Sequence, residues 1–137
     1  MKKLLGTVLG AIAAITIVSL ADWFAGTLYP LSGELDSADP DTTAAIIAGM
    51  PLPAKLLIVF GWFLAAFTGA WLALRVSDWR WSGWIVAVLV VAGGIVNILL
   101  LPHPLWMQGC AIVLPLLGGW IAGRLHHKPY PGEPLLG

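Results

Sequence analysis

The chain has 137 residues, of which 59% are hydrophobic and only 10% are charged, and its formal net charge is zero. Soluble domains carry about 25% charged residues, so this composition excludes an ordinary soluble domain and indicates a membrane protein. A neutral chain lacks the basic footprint of a nucleic-acid partner, and the single cysteine, Cys110, excludes an internal disulfide.

Four apolar stretches without a charged residue follow one another along the chain, over residues 4–21, 56–74, 81–101 and 105–123. About 20 helical residues are enough to cross a hydrocarbon core of about 30 Å. We therefore predict an all-α, polytopic membrane protein with four transmembrane helices in an up-down bundle. The expected helices cover about 4–25, 55–75, 81–101 and 105–125, within a single domain over residues 1–128.

The first stretch also has features of a signal peptide. Lys2 and Lys3 precede the apolar run, and Ser19 and Ala21 supply small residues at its end. The run of about 18 residues is longer than the usual apolar region of a signal peptide. This favours an uncleaved first helix that also acts as a signal-anchor, with a cleaved signal peptide as the alternative.

The long loop over residues 26–54 contains the start signal of a short helix. Asp39 can cap the helix, Pro40 suits its first position, and Asp41 lies near the positive end of its dipole. The apolar side of the following residues predicts a helix of two or three turns on the outer membrane surface. The proline-rich tail over residues 129–137 is predicted to be an extended or disordered cytoplasmic segment.

Basic residues are distributed unequally between the two predicted sides of the membrane. Lys55 is alone on one side, and the other side holds six, namely Lys2, Lys3, Arg75, Arg80, Arg124 and Lys128. Because basic residues favour the cytoplasmic side, we expect both termini in the cytoplasm and the loop over residues 26–54 outside.

Small residues recur at every fourth position and predict where the helices pack. The second helix carries Gly61, Ala65, Gly69 and Ala73, and the fourth carries Gly119 and Gly123. In lipid, close backbone approach over small residues drives helix association. The pattern does not distinguish packing within one chain from packing between two copies.

Five polar residues converge on the predicted outer end: Asp22, Lys55, Asn97, His103 and Gln108. Asn97 and Gln108 fall at similar depth on antiparallel helices, so we expect their amides to face one another. The group either stabilises the helix ends or lines a ligand cavity. No catalytic motif is present, His126 and His127 form a weak metal pattern, and we expect neither enzymatic activity nor a metal or cofactor.

The motif Leu101-Pro102-His103-Pro104-Leu105-Trp106, after a glycine-rich helix with Asn97, resembles small uncharacterised four-helix proteins of bacterial inner membranes. The resemblance covers the second to fourth helices, and it implies a class and a bacterial inner-membrane location. We therefore expect a non-enzymatic protein in the lipid bilayer, either an accessory subunit of a membrane complex or a small homo-oligomer. The alternative is a binder or transporter of a small molecule or lipid that uses the outer polar group.

Overall fold

The computed structural model describes residues 1–36 and 38–126, and in these ranges every regular element is a helix. The five helices are α1 Lys2–Leu28, α2 Pro40–Gly49, α3 Leu52–Ser77, α4 Arg80–Leu100 and α5 Leu105–Leu125. The predicted all-α class is confirmed, and the four long helices begin and end within three residues of the predicted positions. The predicted tail over residues 129–137 lies outside the described residues, as do His127 and Lys128.

Helices α1, α3, α4 and α5 are each long and apolar enough to cross a membrane. The shortest has 21 residues, which corresponds to roughly 30 Å of helix at the usual rise. Large apolar side chains are exposed on their surfaces, including Leu4, Ile15, Leu99 and Val113. Length, composition and apolar surface together indicate a multi-pass membrane protein.

Helix α3 contacts three other long helices, α1, α4 and α5. Its small residues face α1 along a seam in which the two helices run in opposite directions. A Cβ atom added to Gly69 would lie 2.6 Å from the carbonyl oxygen of Gly10, and one added to Gly61 would lie 2.5 Å from the Ala21 Cβ. Ala65 and Ala73 are fully buried. We call this contact the α1–α3 seam, and it occupies the small-residue face of α3 within one chain.

Helix α5 contains four glycines, and the three near its C-terminal end differ in their surroundings. A Cβ atom on Gly118 would lie 2.8 Å from the Phe63 carbonyl oxygen, and one on Gly119 would lie 2.6 Å from the Ala87 Cβ. Gly123 was expected to pack beside Gly119, but it has no heavy atom within 4 Å of its Cβ position. Gly123 instead lines a pocket together with Gly83 of α4 and, because it has no side chain, leaves that space open. Gly118 makes the close approach to α3.

The α3–α4 turn is short and is held by polar contacts. Asp78 has a left-handed backbone, with φ at 47°, and its N–H donates to the Leu74 carbonyl oxygen at 2.9 Å. The buried hydroxyl oxygens of Ser77 and Ser82 lie 2.7 Å apart across the turn. The buried His126 ring places Nε2 3.8 Å from the Asp78 Oδ1 atom, which brings the end of α5 against the same turn.

Candidate binding cavity at the acidic end

One end of the molecule holds the segment between α1 and α3 together with the α4–α5 loop, and we call it the acidic end. Its carboxylates are Asp22, Glu34, Asp36, Asp39 and Asp41. A cavity of about 200 Å³ lies there, and we call it the Asn97 cavity. Its polar lining residues are Asp22, Tyr29, Asn97 and His103, and its apolar ones include Ile47, Trp62 and Met107. All four long helices reach this cavity, and α2 lies over it.

His103 is held in a defined orientation in the α4–α5 loop. Its Nδ1 atom lies 2.8 Å from the Leu101 carbonyl oxygen, and its ring meets the Trp62 ring edge-on, with centroids 6.2 Å apart. Because a carbonyl oxygen only accepts, Nδ1 carries the hydrogen in this contact. Nε2 is therefore the ring atom that can accept a hydrogen bond from a ligand, or donate one when the ring is protonated.

Asp22 brings a carboxylate to the same cavity from the last two turns of α1. It lines this cavity together with His103. Asn97 adds an amide that can both donate and accept, and its side chain makes no hydrogen bond to the described residues. Together, the carboxylate, the imidazole and the amide can recognise a polar head with hydrogen-bond donors.

Lys55 and Gln108 do not line the Asn97 cavity, although both were predicted to belong to the polar group. Lys55 Nζ donates to the Ala48 carbonyl oxygen at 3.0 Å, and Gln108 Nε2 donates to the His103 carbonyl oxygen at 2.8 Å. The expected contact between the Asn97 and Gln108 amides is replaced by the latter bond. A backbone carbonyl in the last turn of a helix or in a loop has no partner within a helix, so it can accept a hydrogen bond from a nearby side chain. Both long side chains therefore bond to a backbone carbonyl close to them in the chain. They hold α2 and the α4–α5 loop in place.

Helix α2 lies over the cavity, and hydrogen bonds hold both of its ends. The Lys55 bond to the Ala48 carbonyl oxygen holds the last turn, and several bonds hold the start. Asp39 Oδ1 accepts from the Thr42 N–H at 3.2 Å, and Pro40 occupies the first turn. Hydrogen bonds from the Thr42 hydroxyl and then its N–H lower the pKa of the Asp39 carboxyl. The buried Thr43 hydroxyl donates to the Asp36 carbonyl oxygen at 2.7 Å and accepts from the Asp36 N–H at 3.1 Å. These bonds place Ile47, which is 3% exposed, over the cavity.

A second space adjoins the cavity along the side of the molecule. It has a volume of about 350 Å³, lies between α1 and α4, and is lined mainly by apolar residues; we call it the side groove. Its walls include Ile15, Val18, Leu89, Val90 and Gly93. Asn97 and Trp62 line both spaces, so a polar cavity and an apolar groove meet at these two residues. The sequence pattern offered no signal for the groove, because it depends on the spacing between α1 and α4.

Comparisons with family models, with curated proteins and with solved structures found no match for this chain. Within residues 1–36 and 38–126, no three histidine, cysteine or acidic side chains are placed to hold a metal ion. The geometry of the cavity and the groove is therefore the basis for a functional assignment.

Proposed function

We propose that this chain is a multi-pass protein of a bacterial inner membrane that binds an amphiphile without converting it chemically. Both termini lie in the cytoplasm in this proposal, as the distribution of basic residues favours. One observation carries the assignment: the polar Asn97 cavity and the apolar side groove share Asn97 and Trp62. A ligand with a polar head and an apolar chain fits a cavity that carries four polar side chains together with an adjoining apolar groove.

The lining residues support binding of the ligand head in the Asn97 cavity and of its apolar chain in the side groove. Asp22, Tyr29, Asn97 and His103 present a carboxylate, a phenol, an amide and an imidazole to the head of the ligand. The aliphatic walls of the side groove can contact the apolar chain of the ligand. The volume of the groove, about 350 Å³, falls within the range of roughly 300–1,000 Å³ that is usual for ligand sites. The ligand chain would enter sideways from the lipid, because the groove lies between two helices.

A role as accessory subunit or small homo-oligomer is the second candidate, and the exposure of two helices favours it. In the most apolar 18-residue windows of α1 and α4, 17% of residues are buried, against 44% in α3. A transmembrane helix of a partner or a second copy could therefore occupy the side groove in place of an acyl chain. In that case the small residues around Gly93 would serve close helix packing.

The experiment exploits two glycines with open surroundings. Neither Gly93 nor Gly109 has a heavy atom within 4 Å of its Cβ position, but only Gly93 lines the side groove. We expect Gly93→Leu to fill the groove and to abolish retention of lysophosphatidylethanolamine, a single-chain amphiphile, in native mass spectrometry. Gly109→Leu makes the same chemical change elsewhere on the surface, and retention should persist.

The same preparation distinguishes the second candidate. If the protein leaves the membrane in mild detergent as an oligomer or with a partner, and Gly93→Leu disrupts that assembly, the groove is a helix-packing surface. Failure of the wild-type protein to retain the amphiphile, or equal retention by both variants, would overturn amphiphile binding.

A further inference from the structure

A third space lies at the opposite end of the molecule, between α4 and α5, and has a volume of about 230 Å³. We call it the arginine pocket, because Arg80 and Arg124 line it together with Trp84 and Trp120. Gly83 of α4 and Gly119 and Gly123 of α5 also line it. A Cβ atom on Gly123 would meet no heavy atom within 4 Å, so the missing side chain of this residue leaves the space open.

Within residues 1–36 and 38–126, the positive charge of the arginine pocket has no carboxylate beside it in the pocket lining. No carboxylate lines the pocket, and within the described part of the chain neither Arg80 nor Arg124 forms an ion pair or a hydrogen bond. The carboxylate nearest in sequence, Asp78, lies 3.8 Å from the imidazole of His126. Because Arg80 and Arg124 both line the pocket, an anion bound there would be attracted by two positive charges.

The backbone of α4 adds to the positive potential. Helix α4 begins at Arg80, its first turn contains no acidic residue, and no side chain caps its N-terminus. The N-terminal end of a helix carries partial positive charge and unsatisfied N–H groups, which favour an anion nearby. The arginine pocket therefore combines two side-chain charges with the favourable end of a helix of 21 residues.

The Arg124 side chain is positioned by a neighbouring aromatic ring. Its guanidinium carbon lies 5.0 Å from the centroid of the Trp120 ring. A guanidinium that stacks on an aromatic face keeps its N–H groups available in its own plane, where they match the oxygens of a phosphate. Stacking thus reduces the side-chain freedom that binding would remove.

We propose that the arginine pocket binds a phosphate group with a net negative charge. Two sources share this chemistry, the head group of an anionic phospholipid and free phosphate in the cytoplasm. The site is separate from the Asn97 cavity, and it does not depend on the amphiphile proposed there. At the basic end of a membrane protein, two tryptophans and two arginines lie at the depth at which lipid phosphates are found.

The test uses the full-length protein in dodecyl maltoside, titrated with phosphatidylglycerol and followed by native mass spectrometry. Monogalactosyl diacylglycerol is the matched lipid, because it has two acyl chains and no phosphate. We expect Arg80→Gln and Arg124→Gln each to weaken phosphatidylglycerol binding roughly tenfold, since each removes a charge-assisted contact. Binding of the galactolipid should be weak and should not change.

Two further variants separate a specific site from general attraction. Arg75 lies over Trp71 at 4.8 Å but does not line the pocket, so Arg75→Gln removes the same charge from the same end without touching the site. Gly123→Leu retains both arginines and adds a side chain to the pocket lining at a position where a Cβ atom meets no heavy atom within 4 Å. We expect the first variant to bind like the wild type and the second to lose binding. An equal loss in Arg75→Gln, or undiminished binding in Gly123→Leu, would overturn the proposal.

The final arm distinguishes the two sources of phosphate. If millimolar inorganic phosphate raises the Tm of the wild-type protein but not that of the Arg80→Gln/Arg124→Gln variant, the pocket accepts free phosphate. If only phosphatidylglycerol raises the Tm, the ligand is the lipid head group. If neither raises it, the proposal is wrong.

Discussion

The two ends of the molecule form their spaces in different ways. At the acidic end, a long segment with α2 lies over the gap between the helices, and bulky residues such as Trp62, Met107 and Ile47 form the walls. At the basic end, which holds Lys2, Lys3, Arg75, Arg80 and Arg124, α3 and α4 are joined by two residues. Within residues 1–36 and 38–126, the residues that line the pocket there all belong to α3, α4 and α5. A space can therefore arise because a segment covers it or because a glycine leaves it unfilled.

The charges of the two ends are also held differently. Lys3, Arg75 and Arg124 each lie over a tryptophan ring, at 5.4, 4.8 and 5.0 Å from its centroid. At the acidic end, the Asp36 and Asp39 carboxylates instead accept hydrogen bonds from the backbone N–H groups of Ala38 and Thr42, at 2.8 and 3.2 Å. Aromatic stacking leaves the basic groups available to an external anion, whereas the loop hydrogen bonds make these two acids part of the fold.

The largest expected effect tests whether the two ends face opposite sides of a membrane. In a Cys110→Ala background, cysteines at Ser32 and at Lys2 place one thiol at each end. We expect an impermeant thiol reagent to label position 32 in intact cells and to label position 2 only after lysis, because the excess of basic residues favours a cytoplasmic side. Labelling of position 2 in intact cells would reverse the proposed orientation.

The next effect concerns the α1–α3 seam, which connects the two ends. Gly69→Leu forces a side chain against the Gly10 backbone, so we expect the free energy of unfolding to fall by about 1–3 kcal/mol or more. Thermal unfolding in detergent, followed by tryptophan fluorescence, measures the loss. Gly109→Leu is the matched control, because the same substitution meets open space there. Equal destabilisation by both variants would contradict the assigned seam.

A smaller effect separates the residues that line the Asn97 cavity from those that hold its frame. We expect Asn97→Leu to abolish retention of lysophosphatidylethanolamine, because it removes an amide from the cavity lining. Gln108→Leu removes only the bond to the His103 carbonyl oxygen, so retention should weaken slightly and stability should fall by about 0.6 kcal/mol. Native mass spectrometry and thermal unfolding measure the two quantities. A larger loss of retention in Gln108→Leu would assign that residue to the cavity.

The smallest effect is the pH dependence of the helix that covers the cavity. Because hydrogen bonds lower the pKa of Asp39 below its ordinary 3.8, its stabilisation of α2 is fully present above that value. It is lost as the pH falls through the lower pKa of the folded state. Hydrogen exchange of the α2 amides, corrected for intrinsic rates, should show less protection in this acid range.

Asp39→Ala provides the comparison for that measurement. This variant should show reduced protection of α2 at neutral pH, and it should lose the acid dependence that the wild-type protein shows. Glu34→Gln removes an exposed acid from the same loop and should behave as the wild type. Acid sensitivity that persists in Asp39→Ala would assign the effect to another carboxylate.

The helices and their bounds were predictable from the sequence because local signals determine them. Asp39-Pro40-Asp41 marks the start of α2, and the absence of charge over residues 81–101 marks α4. The candidate site was only partly predictable. Position along a helix places Asp22 and Asn97 at the acidic end, but it does not say which acceptor a long side chain will reach.

Lys55 and Gln108 illustrate that limit, since a backbone carbonyl lies closer to each than the cavity does. Gly123 illustrates another. Its spacing from Gly119 matches a packing stripe, yet packing also needs an atom on the opposing helix, and no heavy atom lies within 4 Å of the Gly123 Cβ position. The distances between helices in the folded protein determine which carbonyl each long side chain reaches and whether Gly123 has a packing partner. A sequence pattern does not contain those distances.

The position of the α1–α3 seam in the chain has a consequence for biosynthesis. The seam joins a helix that ends at Leu28 to one that ends at Ser77, so roughly 50 residues must be synthesised before α1 has its partner. At about 5–20 residues per second, this takes roughly 2–10 s. During that interval the nascent first helix presents Gly6 and Gly10 to lipid, and lateral assembly begins only when the third helix leaves the ribosome.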